Sequence, residues 1–435
     1  MKIQYKSSLF MCYTISSCAG IHFGNILLAS GEALFMKLFQ SDLADSKVGT
    51  GKTVVLGLQH TFTMFGATVL VPILTGLDVS VALFMAGIGT LIFHLINRGK
   101  IPIFLGSSFA FIAPVTAAMA AYGTPKALGG LVVSGLLYVL FAILIYFVGA
   151  ERILSFFPPV VNGSIIMVIG LKLAPNAIEM ASENWGLALL AFAIVVTVNI
   201  FFKGFLKSLP VLIGLGTSYI IAVLITLLTP LKLVYFTSIT EAACIGLPSF
   251  QLAQFDVGAI LMVAPVAVCT MVEHIGDMIA VGAICRKDFI KDPGLHRTVL
   301  GDGVATAVSA MFGGPANTTY SENTGVLALT RALNPLIMRI AACFAILLGV
   351  VPKLGGVISS IPSSIIGGIS IVLFGMIAAV GARTLVENQV DFKASRNLII
   401  AAVILVLGLG GATIPVKFGM VDFAIEGLSL IHTSK

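Results

Sequence analysis

Glu273 and Asp277 stand four residues apart in an otherwise apolar stretch, so a helix would set both carboxylates on one face. Two carboxylates that close cannot both ionise cheaply where the dielectric is low, so at least one is expected to hold a proton. A proton held there is a means of coupling to a proton gradient. His60, His274, Asp302 and Glu322 are the other ionisable residues inside apolar segments. Each is costly at membrane depth, which makes each a functional candidate. Helix ends or interhelical hydrogen bonds account for the two histidines as well as function does. Glu273 and Glu322 are harder to explain as packing.

Such groups need a membrane scaffold, and the composition supplies one. The 435 residues are 58% hydrophobic and 10% charged, with a mean hydropathy of +1.07. Apolar runs near the ~20 residues that span a bilayer recur from residue 54 almost to the end. They are continuous rather than alternating, so they read as helices, the expected fold being an all-α polytopic membrane protein. The pattern predicts helices over 54–74, 79–96, 101–121, 128–148, 153–173, 185–202 and 205–228. A second set follows over 259–283, 298–313, 317–330, 335–358, 361–381 and 397–411. The C-terminus offers a fourteenth, interrupted by Asp422 and Glu426 and barely long enough to cross.

Two of these segments are broken alike. Gly106-Ser107-Ser108-Phe109 interrupts one, and Asn317-Thr318-Thr319-Tyr320-Ser321-Glu322-Asn323 interrupts another. Ser107 and Thr318 are 211 positions apart, Gly66 and Gly276 are 210 apart, and Pro158 with Gly163 precedes Pro362 with Gly367 by 204. Seven segments in each half force the second half to enter from the opposite face, which makes the halves an inverted repeat. Paired, polar, broken helices in an inverted repeat are the mark of a secondary transporter, with its substrate at the breaks.

The net charge of +6 is a topology signal rather than a nucleic-acid footprint. With the N-terminus inside, the inward ends hold Arg98, Lys100, Arg152, Arg286, Lys287, Arg297, Arg331, Arg339, Arg383 and Arg396 among others. The outward ends hold Lys126, Lys172, Lys232, Lys353 and Lys417. That bias predicts a multi-pass protein of the cytoplasmic membrane with a cytoplasmic N-terminus. The cysteines have no metal-ligand spacing, and no nucleophile–base pair stands out, so neither an enzyme nor a metal or cofactor site is expected.

Residues 1–47 fit the rest poorly, as a disordered tail or a mis-assigned start. Ile15-Ser16-Ser17-Cys18 is like a lipoprotein cleavage box behind too short an apolar core. A start at Met36 is preferred, and a chain beginning there is expected to insert and transport normally. Gly49-Thr50-Gly51-Lys52-Thr53 is like a phosphate-binding loop, but Ser46 stands where the motif needs its first glycine.

Taken together, several motifs resemble the nucleobase–ascorbate transporter family, closely its bacterial uracil permease branch. Glu322-Asn323-Thr324-Gly325 through Thr330-Arg331 fits the family signature [QE]-N-x-G-x(4)-T-R. Gln59-His60, Met64-Phe65-Gly66-Ala67-Thr68, Gly106-Ser107-Ser108-Phe109, Glu273-His274-Ile275-Gly276 and Asn317-Thr318-Thr319-Tyr320 match as well. The resemblance implies about 13–14 helices with short strands in broken helices 3 and 10. It divides the chain into a core domain, about 54–148 and 259–358, and a gate domain, about 153–228 and 361–435. It also implies proton-coupled uracil import, with xanthine or another purine as the rival substrate and an anion carrier on the same fold as the less favoured reading.

The implied partners are a nucleobase, a proton, membrane lipid and, as a candidate, a second copy of the chain. Glu273 and Glu322 would accept from ring N–H groups. Backbone N–H groups at Phe109 and Ser321 would donate to ring carbonyls. Phe109 and Tyr320 would offer flat faces, with Ala67 and Ser108 completing the site. Asp277, Asp302 and Glu273 are the proton-coupling candidates. The chain departs from the uracil branch at Asp277, where His is usual, at Ser321, where Gly is usual, and at Phe374, where some members have Tyr.

Overall fold

The computed structural model describes residues 50–155, 158–410, 413–418 and 421–426. The expectations for residues 1–47, including Met36 as the start, lie outside the described residues.

The first half opens with α1 (Thr50–Thr75) and α2 (Val79–Ile96). A three-residue strand, β1 (Leu105–Ser107), then gives way to a 3-10 turn (Phe109–Phe111), α3 (Ile112–Tyr122) and α4 (Thr124–Val148). A short α5 (Ala150–Ser155) leads to α6 (Pro159–Lys172), α7 (Ala174–Ser182), α8 (Trp185–Phe201) and α9 (Pro210–Leu228). The connection between halves carries only α10 (Thr237–Glu241).

The second half begins with α11 (Val257–Val263), α12 (Val266–Cys285) and α13 (Leu295–Met311). Its strand, β2 (Asn317–Thr319), runs into α14 (Ser321–Thr330), followed by α15 (Pro335–Gly349), α16 (Pro352–Ser359), α17 (Ser363–Glu387) and α18 (Ser395–Gly410). Among the described residues, seven helices are long and apolar enough to cross a bilayer, and α15 with α16 makes an eighth that bends by 77°. The bend falls at Pro352, which cannot continue the donor ladder of α15. Shorter helices fill the other expected positions, so the molecule is a multi-pass membrane protein.

The C-terminus differs from expectation. The fourteenth segment is a strand pair, β3 (Thr413–Phe418) against β4 (Val421–Glu426), antiparallel with Thr413 opposite Glu426. Its sequence explains why: Val421, Phe423 and Ile425 recur at a spacing of two, the period of a strand, and a helix would carry Asp422 and Glu426 into lipid.

Packing partners come in related pairs. The contact of α2 with α15 is matched by that of α13 with α4, and the contact of α8 with α17 by that of α18 with α6. The α2–α13 and α6–α17 contacts map onto themselves when the halves are exchanged. This is the inverted repeat expressed as contacts. Close approach between α4 and α13 depends on glycine: a Cβ on Gly135 would lie 2.6 Å from Gly303 O, and one on Gly303 would lie 2.4 Å from Tyr138 Cβ.

Residues of the inter-half connection lie along α4, α13 and α16. Gln251 N and Ala253 N donate to Phe312 O (3.3 Å) and Met311 O (3.2 Å), and Phe250 stands edge-on to both Phe84 and Phe312. Asp256 caps α11 and meets Lys126 Nζ at 3.2 Å. The Ala259 N–H and then Lys126 hold the Asp256 carboxyl below its ordinary range. Arg339 is buried within α15, its guanidinium beside Gly99 of the Arg98-Gly99-Lys100 turn.

Candidate functional site

The two breaks meet. Strands β1 and β2 pair antiparallel, with Leu105 opposite Thr319, Gly106 opposite Thr318 and Ser107 opposite Asn317. Flanking bonds extend the crossing: Ser108 N donates to Ala316 O (2.9 Å), and Tyr320 N donates to Phe104 O (3.1 Å). Three-residue strands cannot satisfy their outer edges alone, and two threonines do it for them. Thr90 on α2 accepts from Leu105 N (2.9 Å) and reaches Leu105 O (3.2 Å). Thr306 on α13 does the same for Asn317, at 3.1 Å to both its N and its O. The two clasps occupy matching places in the two halves.

Tyr320 is the strut under this crossing. Its ring fills the space left by Gly106, where a Cβ would lie 2.3 Å from Tyr320 Cζ. Its hydroxyl donates to Ser107 O (3.0 Å) and accepts from Thr68 Oγ1 (3.2 Å). Ser107 Oγ donates to Thr68 O (3.1 Å), tying α1 to β1. Tyr320, Ser108 and Ala67 are therefore all buried, with Tyr320 only 3% exposed. The family signature itself spans α14: Asn323 Nδ2 donates to His60 O (3.2 Å), joining two motifs from opposite halves, and Arg331 ends the helix in the left-handed region at φ 52.

Helix α12 packs against β2, α14 and the 3-10 turn, which brings its carboxylates to both breaks. Glu273 and Asp277 are half-buried on one face, and Thr319 Oγ1 donates to Asp277 Oδ2. Glu322 is exposed at the head of α14, and open space lies over Gly276 and Gly325. Phe109 and Ser321 are the first residues of their helical turns, so their N–H groups are among those a helix leaves without an internal partner. Phe109 is half-buried and stands edge-on to Phe374 of α17, centroids 6.2 Å apart.

Asp302 lies elsewhere. It is fully buried on α13, with one oxygen 3.1 Å from Nδ1 of the equally buried His274. The structure thus packs together the elements that carry Glu273, Asp277, Glu322, Phe109 and the Ser321 backbone. It sets Tyr320, Ser108 and Ala67 in the wall behind, and Asp302 in a separate buried pair.

The sequence matches the Permease family over residues 51–417. The chain belongs to that family. The permease is 42% identical over 395 residues to the uracil permease of Bacillus caldolyticus, covering 87% of its own length and 89% of that protein. It is 39% identical over 394 residues to the uracil permease of Escherichia coli, covering 87% and 90%. The fold is shared with the transmembrane domain of the cyanobacterial bicarbonate transporter BicA, at a TM-score of 0.60 and 15% identity over 82% of the permease and 94% of that chain. It is shared as well with murine Solute Carrier 26 family member A9 in its inward-facing state, at 0.61 and 11% over 90% and 69%.

The threonine clasps and the Thr319–Asp277 contact carry no signal in the sequence. A threonine in an apolar helix most often bonds its own backbone four residues back, as Thr90 also does to Ala86 O at 2.8 Å. Nor does the repeat offset point to them, since Thr90 lies 17 residues before Ser107 and Thr306 only 12 before Thr318.

Proposed function

We propose that this permease imports uracil together with a proton across the cytoplasmic membrane, N-terminus inside, by alternating access. The observation that carries the reading is that α12, which carries Glu273, packs against both α14, headed by Glu322, and the turn at Phe109 where two broken helices cross, in a chain whose relatives are named uracil permeases. Uracil has ring N–H donors and carbonyl acceptors around a flat face. The two carboxylates suit the donors, the N–H groups of Phe109 and Ser321 suit the carbonyls, and Phe109 suits the face. Tyr320, Ser108 and Ala67 hold the crossing in shape behind the base.

Helices α1–α4 and α11–α16 form the moving core, and α6–α9 with α17 and α18 the gate. Phe109 against Phe374, and Gly66 against Val211, mark where the two would part; a Cβ on Gly66 would lie 2.6 Å from Val211 Cγ1. Two glutamates at the site oppose an anion, which weighs against the carrier function of the fold's distant relatives. Labelled uracil uptake with and without a proton uncoupler, competed by xanthine, tests the reading. Uncoupler-insensitive uptake, or better competition by xanthine than by uracil, would overturn it.

Asp277 is the preferred coupling residue, because it lies one turn from Glu273 and its charge is read by Thr319 on β2. Asp277→Asn fixes the neutral state, so uracil should still bind while accumulation driven by a pH gradient falls about tenfold, the worth of one charged hydrogen bond. If Asp277→Asn concentrates uracil normally and Asp302→Asn does not, coupling belongs to Asp302.

A further inference from the structure

Two glycines that correspond in the repeat are treated unequally by the fold. Gly66 of α1 and Gly276 of α12 stand 210 positions apart, close to the offset of the two breaks. Gly66 is buried and covered by α9: a Cβ there would lie 2.6 Å from Val211 Cγ1 and 2.9 Å from Val211 Cβ. Gly276 is exposed, and nothing lies within 4 Å of the place its Cβ would take. The sequence repeats the covering residue too, since Leu209-Pro210-Val211 recurs as Ile414-Pro415-Val416, 205 positions on. Hollow and plug therefore each occur twice in the chain, and Gly66 is the hollow that is filled.

Val211 is well made for a plug. It is the second residue of α9, directly after Pro210, whose ring fixes the local backbone. Its branched side chain is stiff about χ1, so it cannot swing aside as a long chain would. It packs against a buried cluster that includes Met64, Phe65 and Ala67 of α1. The turn just before it, Gly204–Ser208, rests on α14. Residues 204–212 of the gate are thus seated on one core helix from each half.

We propose that Val211 seated on Gly66 is a latch that holds the present conformation, and that Gly276 is the matching hollow, covered when the site faces the other way. Exchanging the roles of two inverted repeats exchanges the side to which a transporter opens. Packed interfaces of this kind have discrete arrangements rather than a continuum, so one hollow is filled while its counterpart is bare. The same change should then act oppositely at the two glycines. A methyl at position 66 expels Val211 and disfavours this conformation, whereas a methyl at position 276 meets nothing here and opposes the other. The inference rests on the alternating-access reading above.

The test uses full-length protein in liposomes with a reporter thiol introduced by Ala280→Cys. Ala280 is exposed one turn beyond Gly276 on the same face of α12. A water-soluble maleimide is applied, and its rate of attachment at position 280 is read by peptide mass spectrometry, so the native cysteines stay in place. Gly66→Ala should slow attachment at least about fivefold, the effect of overpacking one methyl. Val211→Gly, which removes both clashing atoms, should slow it as well because the latch is lost. The two together restore a filled hollow and should return the rate to within about twofold of the parent. Gly276→Ala should leave it equal or faster. A wild-type rate in both single variants would overturn the inference, as would a double variant no faster than either single one, the mark of general damage. Slowing by Gly276→Ala equal to that by Gly66→Ala, or a reporter that the reagent never reaches in the parent, would overturn it too. Uracil flux that fails to saturate in wild-type liposomes would show separately that alternating access has failed, and the latch with it.

Discussion

Glu322→Gln should reach the membrane and lose uracil uptake by about 10- to 100-fold, the ~1.5–3 kcal/mol of a hydrogen bond to a charged group. Glu322 heads α14 directly after the second break, and it is exposed where Gly325 faces open space. Glutamine keeps the length and the hydrogen-bonding oxygen but removes the charge, and it adds an N–H that would face the ring donors. The loss should appear mainly as weaker apparent affinity, because a ground-state contact is removed. Uptake and affinity equal to wild type, in protein shown to be at the membrane, would exclude Glu322 as a ligand.

Gly106→Ala should be as damaging, although it touches neither carboxylate. The new methyl would sit 2.3 Å from Tyr320 Cζ and 2.8 Å from Thr68 Oγ1, so the ring must leave. Tyr320 would then release Ser107 O and Thr68, and β1 would lose its strut against β2. Overpacking of this kind costs ~1–3 kcal/mol, and the lost hydrogen bonds add to it. Uptake more than about tenfold down, together with a lower melting temperature in detergent, is the expected result. A variant that transports and melts like wild type would mean that the ring does not occupy this space.

Much of the fold was legible because the membrane restricts what a sequence can do. Long apolar runs must be helices, so thirteen segments could be placed from hydropathy alone, and the two breaks announced themselves by small hydroxyl residues where a helix should continue. Glu273, Asp277 and Glu322 were legible for a related reason, since charge at that depth needs a cause. The C-terminus misled because its apolar content suggested a helix while its period of two pointed to strands. The roles of neighbours were hidden more deeply. Tyr320 read as a flat face for a ligand, but Gly106 gives its ring a seat and Ser107 O accepts its hydrogen bond, and neither fact follows from spacing. Asp302 and Asp277 looked equivalent as carboxylates in apolar segments. What separates them is tertiary: Thr319 meets one and His274 the other.

The pairing of β1 with β2 also bears on how the protein is made. Leu105 waits for Thr319, which leaves the ribosome roughly 200 residues later, or about 10–40 s at a synthesis rate of ~5–20 residues per second. Through that interval the first strand would lie in the bilayer with unpaired backbone groups. Thr90 belongs to the same half and clasps Leu105 at both its N–H and its carbonyl, so one residue of the strand is satisfied before its partner exists. Thr306 clasps Asn317 likewise, but β1 already exists when Asn317 is made, so only the first clasp bridges this interval. The Thr90 clasp would thus shelter part of the first half-site until the second half is inserted.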